Sequence, residues 1–263
     1  MNSSSEKTPT GIIGLDDALN GGMPKGTVCT ISGGPGCGKT ILAAEFLYEG
    51  ITKFGDPGIY VSLGESKDEF LSNTKPFGWD FASLEREGKF KFVDFSFERL
   101  VNINVWSKQS SDYDSPSFPL DGLTLEEQTY INMIQNFVGT IIDSISLIEA
   151  KRIVIDPISS LRLLFPTEFI SRREFLRIFT ILRESKTTAM VLSELPKEEG
   201  FSLEEFVGSG VIRVNYRRGE SGSMNMARTL TIFKMRGTAF NEKALSMRIT
   251  SSGIEILGES LGF

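Results

Sequence analysis

The chain has 263 residues, 40% of them hydrophobic and 24% charged, a balance that suits a soluble globular protein of one large or two small domains. Its net charge of −6 excludes binding nucleic acid through a wholly basic surface and leaves only local basic patches. With no histidine and only Cys29 and Cys37, a histidine base or structural zinc site is excluded, so any metal must be a hard cation held through oxygen.

Residues 1–9 read as a short disordered tail without the apolar core of a secretion signal. No run approaches the length needed to cross a bilayer, so the expectation is a cytoplasmic protein with no membrane contact. TVCTIS (27–32) reads as a strand, GGPGCGKT (33–40) as a loop and 41–54 as a helix with Leu42, Phe46, Leu47 and Ile51 at helical spacing. GIYVSLGES (58–66) then gives a buried strand over 59–63 that breaks at Gly64. Glu65 stands at the strand end, where α/β proteins usually place ligands. A helix near 67–73 and a strand over 89–95 follow.

The polar segment 107–122 reads as a mobile surface loop within a variable insertion at 100–130. It ends at Thr124, where TLEE offers a capping box. The next helix carries Tyr130, Ile134, Phe137, Ile141, Ile145 and Ile148 on one face, although Gly139 weakens it. RIVID (152–156) is a buried strand ending on Asp156, followed by a helix over 172–184 and a strand over 188–193. From Val211 onward only strands remain: VIRVNY, RTLTIFKM, SMRIT and GIEIL. The expected fold is therefore α/β, a mostly parallel sheet flanked by helices with an antiparallel C-terminal extension, in one domain over 10–263.

Gly33, Gly38, Lys39 and Thr40 fit G-x-x-x-x-G-K-S/T, with a buried strand before the motif and a helix after it. Glycines let backbone N–H groups curve inward around phosphate oxygens, and the helix start adds its positive end. Gly34, Gly36, Cys37, Gly38, Lys39, Thr40 and Ile41 are thus candidate ATP-binding residues. Lys39 would neutralise the β- and γ-phosphates, and the Thr40 hydroxyl would ligate Mg2+. Asp156 is the second candidate for magnesium, directly or through water; its competing role is an N-cap for the next helix.

Three segments together resemble the KaiC-like branch of the RecA-superfamily ATPases: TPTGIIGLDDALNGGMPKGTVCTISGGPGCGKT (8–40), RIVIDPISS (152–160) and TIFKMRGTAFNEKALSMRITSSGIEI (231–256). The resemblance covers most of the chain and weakens at about 100–130. It implies a RecA-like P-loop core that assembles as a ring, commonly a hexamer, with ATP between neighbours. It also implies that Lys234 and Arg236, matching the family's K-x-R pair, reach the adjacent subunit's phosphates. A guanidinium supplied in trans would neutralise transition-state charge.

The chain departs from that family where members end the strand on two adjacent glutamates. The first activates the attacking water, and here the pair is Gly64 and Glu65. Glu65 is a candidate catalytic base or else a loop or interface residue, and Gly64 permits backbone conformations that glutamate avoids. Without a placed base, hydrolysis is expected to be slower by ~10²–10⁴-fold. Glu194 matches the family's strand-end position near the γ-phosphate, as a nucleotide sensor or the start of a loop. Clock-type autophosphorylation is not supported, because Glu205 and Phe206 occupy the acceptor positions, although Ser209 is nearby.

Three functions follow: a slow ring ATPase acting as a switch, an ATP-binding scaffold without significant hydrolysis, or a DNA-binding accessory protein resembling RadA paralogues. ELPKEEGFSLEE (194–205), with five glutamates to one lysine, disfavours DNA. Arg172, Arg173, Arg217 and Arg218 are the alternative basic patches.

Overall fold

The computed structural model describes residues 6–95, 125–165, 167–195, 200–218 and 226–259. The expected loop at 107–122 and the cap at Thr124 lie outside them, as do the side chains of Tyr130, Arg217 and Arg218.

Apolar runs too short for a helix, bounded by glycine or polar residues, form the strands. Near the N-terminus β1 (Lys7–Thr8) pairs with β2 (Met23–Pro24), and the Thr8 hydroxyl meets that of Thr188 at 2.8 Å. The expected tail therefore stops short of residue 9. Tertiary pairing orders a segment whose composition gives no strand signal.

The main sheet contains β3 (Val28–Gly33), β4 (Gly58–Ser62), β5 (Phe90–Asp94), β6 (Arg152–Asp156), β7 (Thr188–Glu194), β8 (Gly210–Arg218), β9 (Met226–Met235), β10 (Leu245–Thr250) and β11 (Gly253–Glu259). Their spatial order is β11-β10-β9-β8-β3-β7-β6-β4-β5. The six strands from β8 to β5 are mutually parallel, and β9, β10 and β11 continue antiparallel. VIRVNY thus belongs to the parallel core, not to the antiparallel tail. β3 and β6 are not neighbours either, since β7 lies between them.

One face of the sheet packs on α2 (Lys39–Phe54), α3 (Lys67–Thr74) and α4 (Phe81–Arg86). The other packs on α5 (Leu125–Ile148) and α6 (Glu168–Glu184). Short helices α1 (Leu15–Ala18) and α7 (Leu203–Val207) complete the set, with a 3₁₀ turn over Ile158–Leu164.

Helix α4 went unpredicted because it buries only Phe81 and Leu84. Helix α6 starts four residues before the expected 172, at a Thr167 cap whose hydroxyl accepts from Ile170 N–H. Helix α5 runs unbroken through Gly139, held by the buried Ile131, Ile134, Phe137, Val138 and Ile141. Its stretch Ile131–Ile148, of mean hydropathy 1.3, is long and apolar enough by composition to cross a membrane, contrary to the sequence expectation. The buried face against β4 and β5 gives that apolar character a core-packing reason.

The stretch TGIIGLD (10–16), near the start of the first matched segment, is structural. Asp16 accepts from the N–H groups of Thr10 and Gly11 and from the Thr10 hydroxyl. Gly14 lies so close to β11 that a Cβ would meet the Ile256 carbonyl oxygen at 2.1 Å, so only glycine fits. At the N-terminal end of β6 the buried Arg152 donates to Asp56 at 3.0 and 2.8 Å and to the Phe46 carbonyl at 3.1 Å. Both cysteines are buried free thiols, as expected of small core residues.

Candidate active site at the P-loop

Strand β3 delivers the glycine-rich loop to the C-terminal edge of the parallel sheet, and α2 begins at Lys39. Gly38 caps that helix at φ 107°, a conformation closed to other residues at low cost, with Ile249 and Met247 packed behind it. Cys37 is buried beneath the loop, Ile41 is half-buried against the core, and Gly34 and Gly36 are on the open side. Lys39 Nζ donates to the carbonyls of Gly33 at 2.8 Å and Gly34 at 2.9 Å.

Thr40 Oγ1 donates to Asp156 Oδ2 at 2.7 Å, so the two proposed magnesium residues meet across the sheet although their strands are not adjacent. A hydroxyl and a carboxylate form an all-oxygen donor pair suited to a hard divalent cation. Among the described residues no group of three or more His, Cys, Asp or Glu side chains could hold a metal alone. A cation here would share its shell with water and phosphate, and the residues fit that arrangement.

The strand end that raised the question of the base is a tied turn. Ser62 Oγ accepts from Glu65 N–H at 3.0 Å and donates to the Glu65 carbonyl at 2.6 Å. Ser66 and Glu69 then form a capping box that starts α3. Gly64 is exposed and does not use glycine's left-handed freedom, and among the described residues a Cβ there would meet only Pro157 Cδ, at 3.6 Å. The absent carboxylate is therefore not a steric requirement of the backbone.

Glu65 is half-buried. Its Oε2 accepts from Asn73 Nδ2 at 3.2 Å, and its Oε1 lies 3.3 Å from the Tyr60 hydroxyl. Burial raises the Glu65 carboxyl, the nearby Asp156 adds to the rise, and the bonds from Asn73 and Tyr60 oppose it. Burial likewise raises Asp156, against the hydroxyls of Tyr60 and Thr40 and the charge of Lys39.

Glu194 ends β7 in register with Gly33, so it stands at the root of the loop, exposed. Lys234 and Arg236 do not approach their own P-loop. β9 runs antiparallel to β8, placing Leu230 beside Val214 at the loop end and Met235 beside Gly210 at the other. At ~3.3 Å per residue the separation along the strands is roughly 13 Å. Lys234 Nζ instead donates to carbonyls at the end of α7, to Phe206 at 3.1 Å and to Gly208. Burial and the nearby Arg236 lower its ammonium. Arg236 is exposed.

The residues assigned to the acceptor segment have other roles. Glu205 is buried, accepting from Ser32 Oγ at 2.5 Å and from Arg213 at 2.7 and 2.9 Å, while Phe206 is exposed. Burial alone would raise Glu205, but these donors outweigh it and hold the carboxyl low. Glu204 is buried against Arg162. Two of the five glutamates counted against DNA are therefore neutralised in the fold, not spread over a loop. Arg173 is paired with Glu174 at 2.8 Å, and Arg172 lies over the Phe206 ring at 5.9 Å.

Two residues near the loop were missed from sequence. Arg228 donates to the Gly36 carbonyl at 3.3 Å and lies 4.0 Å over the Tyr216 ring, its cross-strand partner. Tyr60, read only as an apolar strand residue, puts its hydroxyl 2.7 Å from Asp156 Oδ2. No local sequence signal marks either: the first depends on the register of the β8/β9 hairpin and the second on β4 lying beside β6.

The family described as "ATPase: KaiC" matches residues 8–260. A UPF0273 protein from Methanopyrus kandleri is 30% identical over 255 residues, covering 95% of this chain and 92% of that one. The circadian clock oscillator protein KaiC of Parasynechococcus marenigrum is 32% identical over 256 residues, but this chain spans only 44% of its length. A crystal structure of a KaiC-like protein from Pyrococcus horikoshii OT3 superposes with a TM-score of 0.76 at 31% identity, covering 96% of this chain and 99% of that one. The fold is thus the RecA-like core anticipated above. Matched from its opening motif to its last strands, the chain belongs to the KaiC family of P-loop ATPases.

Proposed function

We propose that this protein is a cytoplasmic, ring-forming ATPase, a hexamer with ATP between subunits, whose slow hydrolysis switches its assembly or its partners. The observation that carries the reading is an assembled P-loop, with Lys39 on the loop carbonyls and Thr40 bonded to Asp156, beside a position 64 that bears no carboxylate. Bound magnesium would supply charge neutralisation at the phosphates. Lys39 exchanges two loop carbonyls for phosphate oxygens, while Thr40 and Asp156 hold the cation side of the site. Lys234 and Arg236 lie at the far end of the sheet, which supports their acting on a neighbour's nucleotide in a head-to-tail ring. Glu65, near Asp156 through Tyr60, and Glu194, beside Gly33, are the carboxylates assigned to the attacking water and to sensing the γ-phosphate in this reading.

Of the basic residues that would serve the DNA-binding alternative, Arg173 is engaged with Glu174. Sedimentation with Mg-ATP, Mg-ADP and no nucleotide tests the proposal. The parent is expected to shift to a large oligomer with Mg-ATP, and Lys39→Ala to lose both nucleotide binding and the shift. A monomer in all conditions, or full affinity in Lys39→Ala, refutes it.

A further inference from the structure

Tyr60 is fully buried in the middle of β4, its ring fixed against Phe70 at 4.3 Å and Phe92 at 5.6 Å between centroids. A phenylalanine would satisfy that packing, so the hydroxyl needs its own account. It faces two carboxylates, 2.7 Å from Asp156 and 3.3 Å from Glu65. A hydroxyl carries one proton, and the shorter contact identifies Asp156 as the acceptor. Asp156 Oδ2 thus takes two hydroxyl donors, from Tyr60 and Thr40. Oδ1 has no protein donor among the described residues. Glu65 is the longer contact, and its other oxygen accepts from Asn73.

We infer that Tyr60 is a positioning residue for the cation site: its hydroxyl locks the Asp156 carboxylate through Oδ2 and leaves Oδ1 turned free for the cation's shell. This inference rests on the reading of the P-loop as a magnesium-nucleotide site. The lock is rigid because the aromatic cluster holds the phenol ring, so the hydroxyl cannot follow Asp156 elsewhere. Partners of this kind, one shell behind a metal ligand, typically change metal affinity by ~10–100-fold when removed. Thr40 must serve both Asp156 and the cation, whereas Tyr60 is no cation ligand and makes its shorter contact to Asp156. Tyr60 therefore preserves the carboxylate's orientation when the Thr40 hydroxyl turns toward the cation.

The test is binding of a fluorescent ATP analogue to the parent, Tyr60→Phe and Asp156→Asn, with excess EDTA and across a Mg2+ titration. In Tyr60→Phe the metal-free affinity is expected to stay within about twofold of the parent. The Mg2+ concentration giving half of the metal-dependent gain should rise by roughly tenfold or more. Asp156→Asn sets the scale of complete loss. An unshifted Mg2+ midpoint in Tyr60→Phe overturns the inference. Equal weakening with and without Mg2+ also overturns it, because that is a packing defect. A parent that binds no nucleotide in either condition refutes the P-loop reading itself, and the positioning role falls with it.

Discussion

Replacing Gly64 by glutamate puts a carboxylate where the family carries one, and the structure sets the cost. Gly64 has no left-handed backbone to lose, and the nearest atom to an added Cβ among the described residues is Pro157 Cδ at 3.6 Å. The substitution therefore introduces no strain, and restricting the unfolded chain adds ~0.4–1 kcal/mol of stability. The new side chain emerges two residues beyond the end of β4, beside the turn that follows Asp156. A placed general base contributes ~10²–10⁴-fold, which at ~1.36 kcal/mol per tenfold is about 2.7–5.4 kcal/mol off the barrier. Phosphate release at saturating Mg-ATP, with a melting curve on each sample, measures both consequences. Gly64→Glu is expected to raise turnover at least ~100-fold with the melting temperature unchanged or higher. Turnover within about threefold of the parent, in a folded variant that binds nucleotide normally, would refute the attribution of slow chemistry to position 64.

Glu45, in α2, is buried and accepts the Ile254 N–H at 2.6 Å, and burial pushes its carboxyl from 4.5 up to about 8. The folded chain keeps a proton that the unfolded chain releases above 4.5, so stability is lost as pH rises from 4.5 toward about 8. Glu45→Gln retains the acceptor and cannot ionise; it should gain roughly 1–3 kcal/mol at pH ~8.5 and nothing at pH ~4.5. An equal gain at both pH values in denaturant titrations would contradict this. Arg152→Ala removes three donors from a buried site and leaves Asp56 without its partner. It should cost about 3–5 kcal/mol in urea unfolding, and a loss below ~1 kcal/mol would show the pair to be dispensable.

The place of the glycine loop, the end of β6 at Asp156 and most strand limits were readable because each depends on a local pattern: an apolar run, a glycine stop, a helix start. β3, β4, β5, β6 and β7 fall within about one residue of their expected bounds. Strand direction is not local, and VIRVNY carries nothing that separates a parallel neighbour of β3 from an antiparallel one. Two-residue β1 and six-residue α4 are too short to display a period. Residue types pointed to Glu65 as a base, but its position behind Tyr60 depends on α3 bringing Asn73 to its other oxygen. Lys234 matched a trans motif, yet its bonds to the end of α7 depend on a hairpin register invisible in the sequence. Gly64 permits conformations that glutamate avoids, but the backbone at that position uses none of them.

The central claim is a site that binds Mg-ATP intact and cuts it slowly. Rapid mixing of the unmodified protein with limiting Mg-ATP, followed by acid quench and separation of ATP from ADP, tests it most directly. The account predicts full binding and cleavage at ~0.1 s⁻¹ or slower, given a median enzyme near ~10 s⁻¹ and the missing base. Conversion of the bound ATP at ~10 s⁻¹ or faster would contradict it.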